Sequence, residues 1–323
     1  MKTLLLLLCL TLSVSAVARD LSERFTELYE TRKAFSARDL AYLGDKEIVF
    51  VPGILSESLT WADRAAPWDF SLLTSDYFSA QVASLRNLGL RVEKILPSSY
   101  SVAITIGKIR KSLERVRAQG RRAVFITHSL GGLALLDQLI AASSEDTAVV
   151  AGILFLQSPF YGSPVADVYQ SNPYSVEAWL RPILPFVNTS PETISYLSKK
   201  NRIQTMDRNH SRIQDLLREI PAITIAGTAN GSHSVFQPAV DLMEFGCIRH
   251  LFKGCASRVL HPGPYDQSDG MVPFESSKLP GTDFVRLDGV DHGEMVVNLP
   301  FTQYAKARIP VVLLKLLVEK VQR

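Results

Sequence analysis

Ala123-Val124-Phe125-Ile126-Thr127-His128-Ser129-Leu130-Gly131-Gly132 is the stretch that decides how this chain folds. A short apolar, β-favouring run meets a serine among small residues. Leu133, Ala134, Leu135, Leu136 and Leu139 then recur at helical spacing. A strand, a sharp turn and a helix are predicted, with Ser129 at the corner. Only small side chains fit around such a turn, and its unfavourable backbone is tolerated because the flanking elements over-determine it. A hydroxyl held there projects from the sheet, and the new helix aims the positive end of its dipole at developing negative charge. The pattern is one residue away from G-x-S-x-G, with Thr127 where the first Gly is usual. A buried serine at an ordinary strand-to-helix turn would read the same way, so the partners of Ser129 have to be sought.

Outward from this stretch, the predicted strands are Glu47 to Val51, Arg91 to Leu96, Ala123 to Ile126, Val149 to Leu156, Ala222 to Gly227 and Asp283 to Leu287. Most are continuous apolar runs rather than alternating ones. Helical patterns over Tyr77 to Leu88, Ile104 to Val116 and Leu133 to Leu139 separate the earlier strands. Unalternating strands each followed by a helix mark a parallel sheet buried on both faces. The fold class is therefore α/β, with a mostly parallel central sheet flanked by helices. A lead-in helix carries Leu21, Phe25, Leu28 and Tyr29, and a closing helix runs from Tyr304 to Val321 with a kink near Pro310.

Two segments do not fit this rhythm. Residues 160–221 are too long for a plain connection and read as a cap or lid inserted into the sheet domain. It carries Trp179, Leu180, Ile183, Leu184, Phe186 and Val187, apolar residues that would cover an acyl groove or pack as core. Residues 228–265 form a second excursion. No repeat, low-complexity tract or linker divides the remainder, so residues 19–323 read as one domain.

Residues 1–18 have the form of a signal peptide. Lys2 supplies the charge, Leu4 to Val14 the apolar stretch, and Ala16-Val17-Ala18 the small-residue cleavage site. The apolar run is shorter than a bilayer span. Export to a periplasmic or secreted location is expected. Cys247 and Cys255 then remain, and two nearby cysteines in an exported chain suggest a local disulfide, with two separate thiols as the other reading. The formal net charge is +3 without a long basic block, which does not suggest nucleic acid as a partner. Oligomeric state is open.

Ser129 needs a base to take its proton and an acid to orient that base. The later histidines are His210, His233, His250, His261 and His292, and of these only His292 follows the last predicted strand closely. Its loop, Asp288-Gly289-Val290-Asp291-His292-Gly293-Glu294, lies at the C-terminal edge of the sheet, where ligands bind in open α/β sheets. Asp269, in Ser268-Asp269-Gly270-Met271-Val272-Pro273, is the candidate acid. Asp266 is its nearest competitor, and Asp288 and Asp291 are closer to His292 in sequence. Two backbone N–H groups are needed for an oxyanion. Leu130 follows the serine, and Ile54 is chosen from Pro52-Gly53-Ile54 because Pro52 has no N–H.

These stretches resemble the α/β-hydrolase superfamily, and within it the bacterial triacylglycerol lipase and esterase branch. Gln157-Ser158-Pro159-Phe160-Tyr161-Gly162-Ser163-Pro164-Val165-Ala166-Asp167 is similar to the T-P-H-x-G-S-x-x-A-D stretch of bacterial lipases, with Phe160 in place of the usual His. Thr127 and Pro52 are further departures, and neither removes a catalytic group. The resemblance implies an α/β-hydrolase fold with a cap, and hydrolysis of a lipid or acyl ester by a Ser-His-Asp triad through an acyl-enzyme. Transient contact with a lipid interface goes with such a substrate. A thioesterase, amidase or acyltransferase would use the same triad, and a non-catalytic binding protein could keep the fold alone. No cofactor is implied. Some lipases of this branch bind Ca²⁺ near the histidine loop, but no acidic cluster marks such a metal site convincingly in this sequence.

Overall fold

The computed structural model describes residues 18–54, 56, 77–98, 100–171, 189–229, 267–297 and 302–322. Most of the expected signal peptide, Cys247, Cys255, Asp266 and the tryptophan-bearing part of the expected cap lie outside the described residues. So does most of the second excursion.

The sheet has six strands: β1 (Glu47–Val51), β2 (Arg91–Lys94), β3 (Ala123–His128), β4 (Val150–Leu156), β5 (Ala222–Thr228) and β6 (Asp283–Asp288). Their order is β2-β1-β3-β4-β5-β6, and every pairing is parallel. Every residue of β1, β3, β4 and β5 is buried. That explains their unalternating composition, since both faces of a parallel sheet lie under helices. The edges differ. β2 reads Arg-Val-Glu-Lys, and its charge discourages further strand addition.

The described helices are α1 (Ser22–Glu30), α2 (Ala37–Leu43), α3 (Ser79–Asn87), α4 (Val102–Ala118), α5 (Leu130–Ala141), α6 (Ser144–Ala148), α7 (Pro164–Ser171), α8 (Pro191–Leu197), α9 (Lys199–Arg208), α10 (His210–Glu219) and α11 (Ile309–Val321). The alternation of side chains along each strand divides the core in two. Val49, Val51, Phe125 and Phe155 pack with α4, α5 and α10 on one face. Ile48, Phe50, Val124, Ile126 and Leu154 pack with α1, α3 and α11 on the other. Among the described residues, no helix is long and apolar enough to cross a membrane.

Three readings of the sequence are corrected. α2 was not expected, yet Ser36 and Asp39 close a reciprocal capping box at its start, which satisfies two orphan backbone donors. The closing helix begins at Ile309 rather than Tyr304, and Pro310 sits in its first turn. A proline there loses no helical hydrogen bond, so it starts the helix instead of kinking it. Between β4 and β5, where the sequence reads as a cap or lid, the described chain holds four helices, α7 to α10.

The chain reverses its direction across the sheet between β1 and β3. The C-terminal ends of these neighbours frame the crevice in which open α/β sheets bind ligands. Ser129 stands at that crevice.

Candidate active site

β3 ends at His128 and α5 starts at Leu130, so the whole turn is Ser129. Its backbone is held at φ 53° and ψ −126°, a conformation that costs an L-residue on the order of 1–3 kcal/mol. Close packing makes the turn possible. A Cβ on Gly131 would lie 2.3 Å from the Val51 carbonyl oxygen, and one on Gly132 would lie 2.0 Å from Ser158 Oγ. α5 therefore starts directly against the ends of β1 and β4. Thr127 is fully buried beneath the turn, and its hydroxyl donates to the Leu154 carbonyl at 3.4 Å.

Ser129 Oγ lies 2.9 Å from Nε2 of His292, and Nδ1 of His292 lies 2.8 Å from Oδ2 of Asp269. The other carboxylate oxygen of Asp269 accepts from the N–H groups of Met271 and Val272, at 2.9 and 2.7 Å. A carboxylate with both oxygens accepting assigns the ring proton to Nδ1 of His292, which leaves the Nε2 lone pair facing the serine hydroxyl. The His292 N–H also donates to the Asp269 carbonyl at 2.8 Å, so the two loops are tied through the backbone as well. All three side chains are buried.

The two described competing acids, Asp288 and Asp291, are occupied elsewhere. Asp288 accepts from Thr228 and Arg286. Asp291 Oδ1 accepts from the N–H groups of Gly293 and Glu294, which shapes the loop that carries His292. The Pro52-Gly53-Ile54 turn at the end of β1 reaches the serine, since a Cβ on Gly53 would lie 2.9 Å from Ser129 Cβ. Leu130, the next residue, heads α5. Phe160, where the lipase stretch has His, is fully buried edge-to-face on Phe155.

The chain matches the model of the alpha/beta hydrolase family over residues 48–307. It belongs to that family. Among solved structures, the mature form of the Bacillus licheniformis lipase BlEst2 is 20% identical, with a TM-score of 0.58 over 85% of this chain and 92% of that one. A metagenomic carboxyl esterase is 15% identical, with a TM-score of 0.64 over 100% of this chain and 97% of that one. Likeness at these identities shows the shared fold. No curated protein matches the chain by sequence.

In this α/β-hydrolase a buried polar network that the sequence did not reveal surrounds Ser129, His292 and Asp269. His128, the residue before Ser129, places Nε2 2.8 Å from the His292 carbonyl oxygen and 3.1 Å from Oε1 of Gln157. The Gln157 amide donates in turn to the Asp291 carbonyl at 2.9 Å. On its other side, Nδ1 of His128 meets the Tyr77 hydroxyl, which also accepts from the Gly53 N–H. Burial first, and then the neighbouring His292, hold the His128 imidazole well below the ordinary histidine value. Gln157 carries a positive φ of 49° at the end of β4. His128 stands inside the stretch that announces the turn, and Gln157 begins the lipase-like stretch. Tyr77 had no signal beyond a helical pattern.

Among the described residues, no group of three or more His, Cys, Asp or Glu is placed to hold a metal ion.

Proposed function

We propose that this chain is an exported serine hydrolase that cleaves carboxylic esters, with a lipid or other acyl ester as substrate. The observation that carries the reading is the hydrogen-bonded series Ser129–His292–Asp269, centred on a serine held in a strained turn at the ligand-binding edge of the sheet. Ser129 Oγ attacks the ester carbonyl while His292 Nε2 takes its proton. His292 then returns the proton to the leaving alcohol, and an acyl-enzyme remains. Water, deprotonated by the same nitrogen, releases the acid. Asp269 holds the imidazole in the required tautomer and stabilises the imidazolium. The N–H groups of Leu130 and Ile54 are assigned to the oxyanion, and losing one such donor typically costs about 3 kcal/mol of transition-state stabilisation.

An apolar cleft lined by Val165, Ala166, Ile194, Leu197 and Met271 lies between α7, α8 and the Asp269 turn. The proposed cap, residues 160–221, supplies most of this lining and is assigned to cover the acyl group of the substrate. The N-terminal eighteen residues, read as a signal peptide, support export.

Purified protein and its Ser129→Ala variant, compared on p-nitrophenyl esters of increasing chain length, test the proposal. Hydrolysis should be abolished in the variant while its circular dichroism is unchanged. Undiminished hydrolysis by Ser129→Ala would overturn the assignment. Matched thioesters and amides define the bond class, and emulsified against dissolved ester tests action at a lipid interface.

A further inference from the structure

Two side chains from adjacent strand ends grip two successive carbonyls of the loop that carries His292. His128, ending β3, holds the carbonyl of residue 292 itself, and Gln157, just past β4, holds that of Asp291. The two are also joined to each other, at 3.1 Å. The His128 and His292 rings lie 4.7 Å apart between centroids. None of this touches the reacting atoms, yet it fixes the backbone from which the His292 ring is hung.

The hydrogen-bond roles follow from the inventory of donors. The Gln157 amide nitrogen faces the Asp291 carbonyl, so its oxygen faces His128. Nε2 of His128 thus looks at two acceptors, the Gln157 oxygen and the His292 carbonyl, and must carry the ring proton. Nδ1 is then an acceptor and takes the Tyr77 O–H. The Tyr77 oxygen keeps a lone pair for the Gly53 N–H. The resulting series runs in one direction: Gly53 N–H to Tyr77 hydroxyl, to His128, to the His292 carbonyl. Hydrogen bonds aligned in this way polarise one another, and a buried network is strongest when every member is satisfied.

We infer that His128 is a neutral positioning residue that locks the His292 loop and the Gly53 turn into one register around Ser129. This rests on the hydrolase reading above. Both loops reach the serine, one carrying the base and the other the Ile54 N–H assigned to the oxyanion. A ring that spans both sets the distance between them. The ring must also stay uncharged. A proton on Nδ1 would turn the Tyr77 hydroxyl away from its present donation, and would place a second positive ring beside the imidazolium formed in each turnover.

The test compares full-length wild type, His128→Leu, His128→Gln and Tyr77→Phe on a short p-nitrophenyl ester, with Tm measured on each. His128→Leu should lower kcat by about tenfold to a hundredfold, as expected for small misplacements of reacting groups, while KM stays within about twofold. The glutamine amide can still donate toward the His292 carbonyl, so His128→Gln should recover most of the lost kcat. Tyr77→Phe should lower kcat less than His128→Leu, again with little change in KM. Wild-type kcat in folded His128→Leu, or equal losses in the leucine and glutamine variants, would overturn the inference. If His128→Leu does not fold, Tyr77→Phe decides, and wild-type kcat there overturns it. A wild-type protein that neither hydrolyses the ester nor labels with a fluorophosphonate overturns the hydrolase reading together with this one. An active wild type with unaffected variants overturns only this one.

Discussion

Arg202 on α9 donates from both terminal nitrogens to the two carboxylate oxygens of Asp137 on α5, at 2.9 and 3.2 Å. The guanidinium is buried, and the Tyr196 hydroxyl adds a third hydrogen bond to Asp137 at 2.7 Å. This bidentate pair ties the helices between β4 and β5 to the helix that starts at the candidate nucleophile. A planar fork matched to a carboxylate gives orientation as well as attraction. Removing one partner strands the other charge in a dry site, which typically costs about 3–5 kcal/mol. Asp137→Ala should therefore lower stability by roughly that amount, read as a fall in the urea midpoint. Replacing both residues by apolar ones of similar size, Asp137→Leu with Arg202→Met, should recover most of the loss. A double variant as unstable as the single one would show that the pair contributes more than mutual neutralisation.

Asp269→Asn separates orientation from folding. Asn Oδ1 can keep the Met271 and Val272 N–H groups that Asp269 now accepts. Its amide nitrogen would then face Nδ1 of His292 and favour the tautomer with the proton on Nε2. That ring cannot take a proton from Ser129. A fall in kcat of about 10⁴ is expected, from the corresponding change in a serine protease triad, with the urea midpoint almost unchanged. A loss of tenfold or less in that variant would show that His292 does not depend on Asp269 for its tautomer.

The parts of this candidate site that could be read from sequence are those whose position follows from chain order. Ser129 lies between a strand pattern and a helix pattern, Asp269 lies on a turn before the last strand, and His292 lies after it. All three loops emerge at one edge because the strands are parallel. Tyr77, His128 and Gln157 are different. The partners that join them to one another and to the His292 loop stand 29 to 164 residues away, and no local periodicity encodes which way a buried ring turns. α2 and the start of α11 have local signals of their own. One is the Ser36-Ala37-Arg38-Asp39 capping pattern, and the other is a proline fit for a first turn. Apolar residues ahead of Ile309 obscure the second.

Acid should destabilise the fold in two stages. His128 is buried and neutral in the folded chain and held well below its ordinary value, whereas the unfolded chain takes a proton there near pH 6.5. Below that pH the unfolded state binds more protons, so stability falls as pH falls. The second stage belongs to Asp283 and Asp39. Burial alone would raise both carboxyls. Hydrogen bonds from Arg19 and Lys320 to Asp283, and from Ser36 and Lys315 to Asp39, overcome this and hold both below the ordinary value. Their contribution is complete above the unfolded pKa of about 3.9 and is lost as pH falls through the lower folded values. Urea midpoints measured against pH should show both declines. His128→Gln should remove the first and Asp283→Asn should shrink the second. Burial raises the Glu294 and Asp167 carboxyls, which pull the other way, so the deciding outcome is the difference. Identical profiles for wild type and His128→Gln between neutral pH and about 5 would contradict the burial of a neutral His128.

Gly132 sets how closely α5 can start against the sheet, and it also accounts for Thr127 beneath the turn. A Cβ at position 132 would lie 3.0 Å from Thr127 Oγ1 as well as 2.0 Å from Ser158 Oγ. The β-branched residue two before the serine thus fits because the residue three after it has no side chain. Gly132→Ala must push both neighbours, and overpacking of this kind costs about 1–3 kcal/mol. It also moves the first turn of α5, where Leu130 N–H is assigned to the oxyanion, so kcat should fall together with Tm. Ser158→Gly added to Gly132→Ala removes the worse contact and should restore most of the stability. Thr127→Ser in the same background should add less, because the hydroxyl that Gly132→Ala meets there is retained. If Gly132→Ala alone kept wild-type Tm and kcat, the turn would have to be looser than this packing allows.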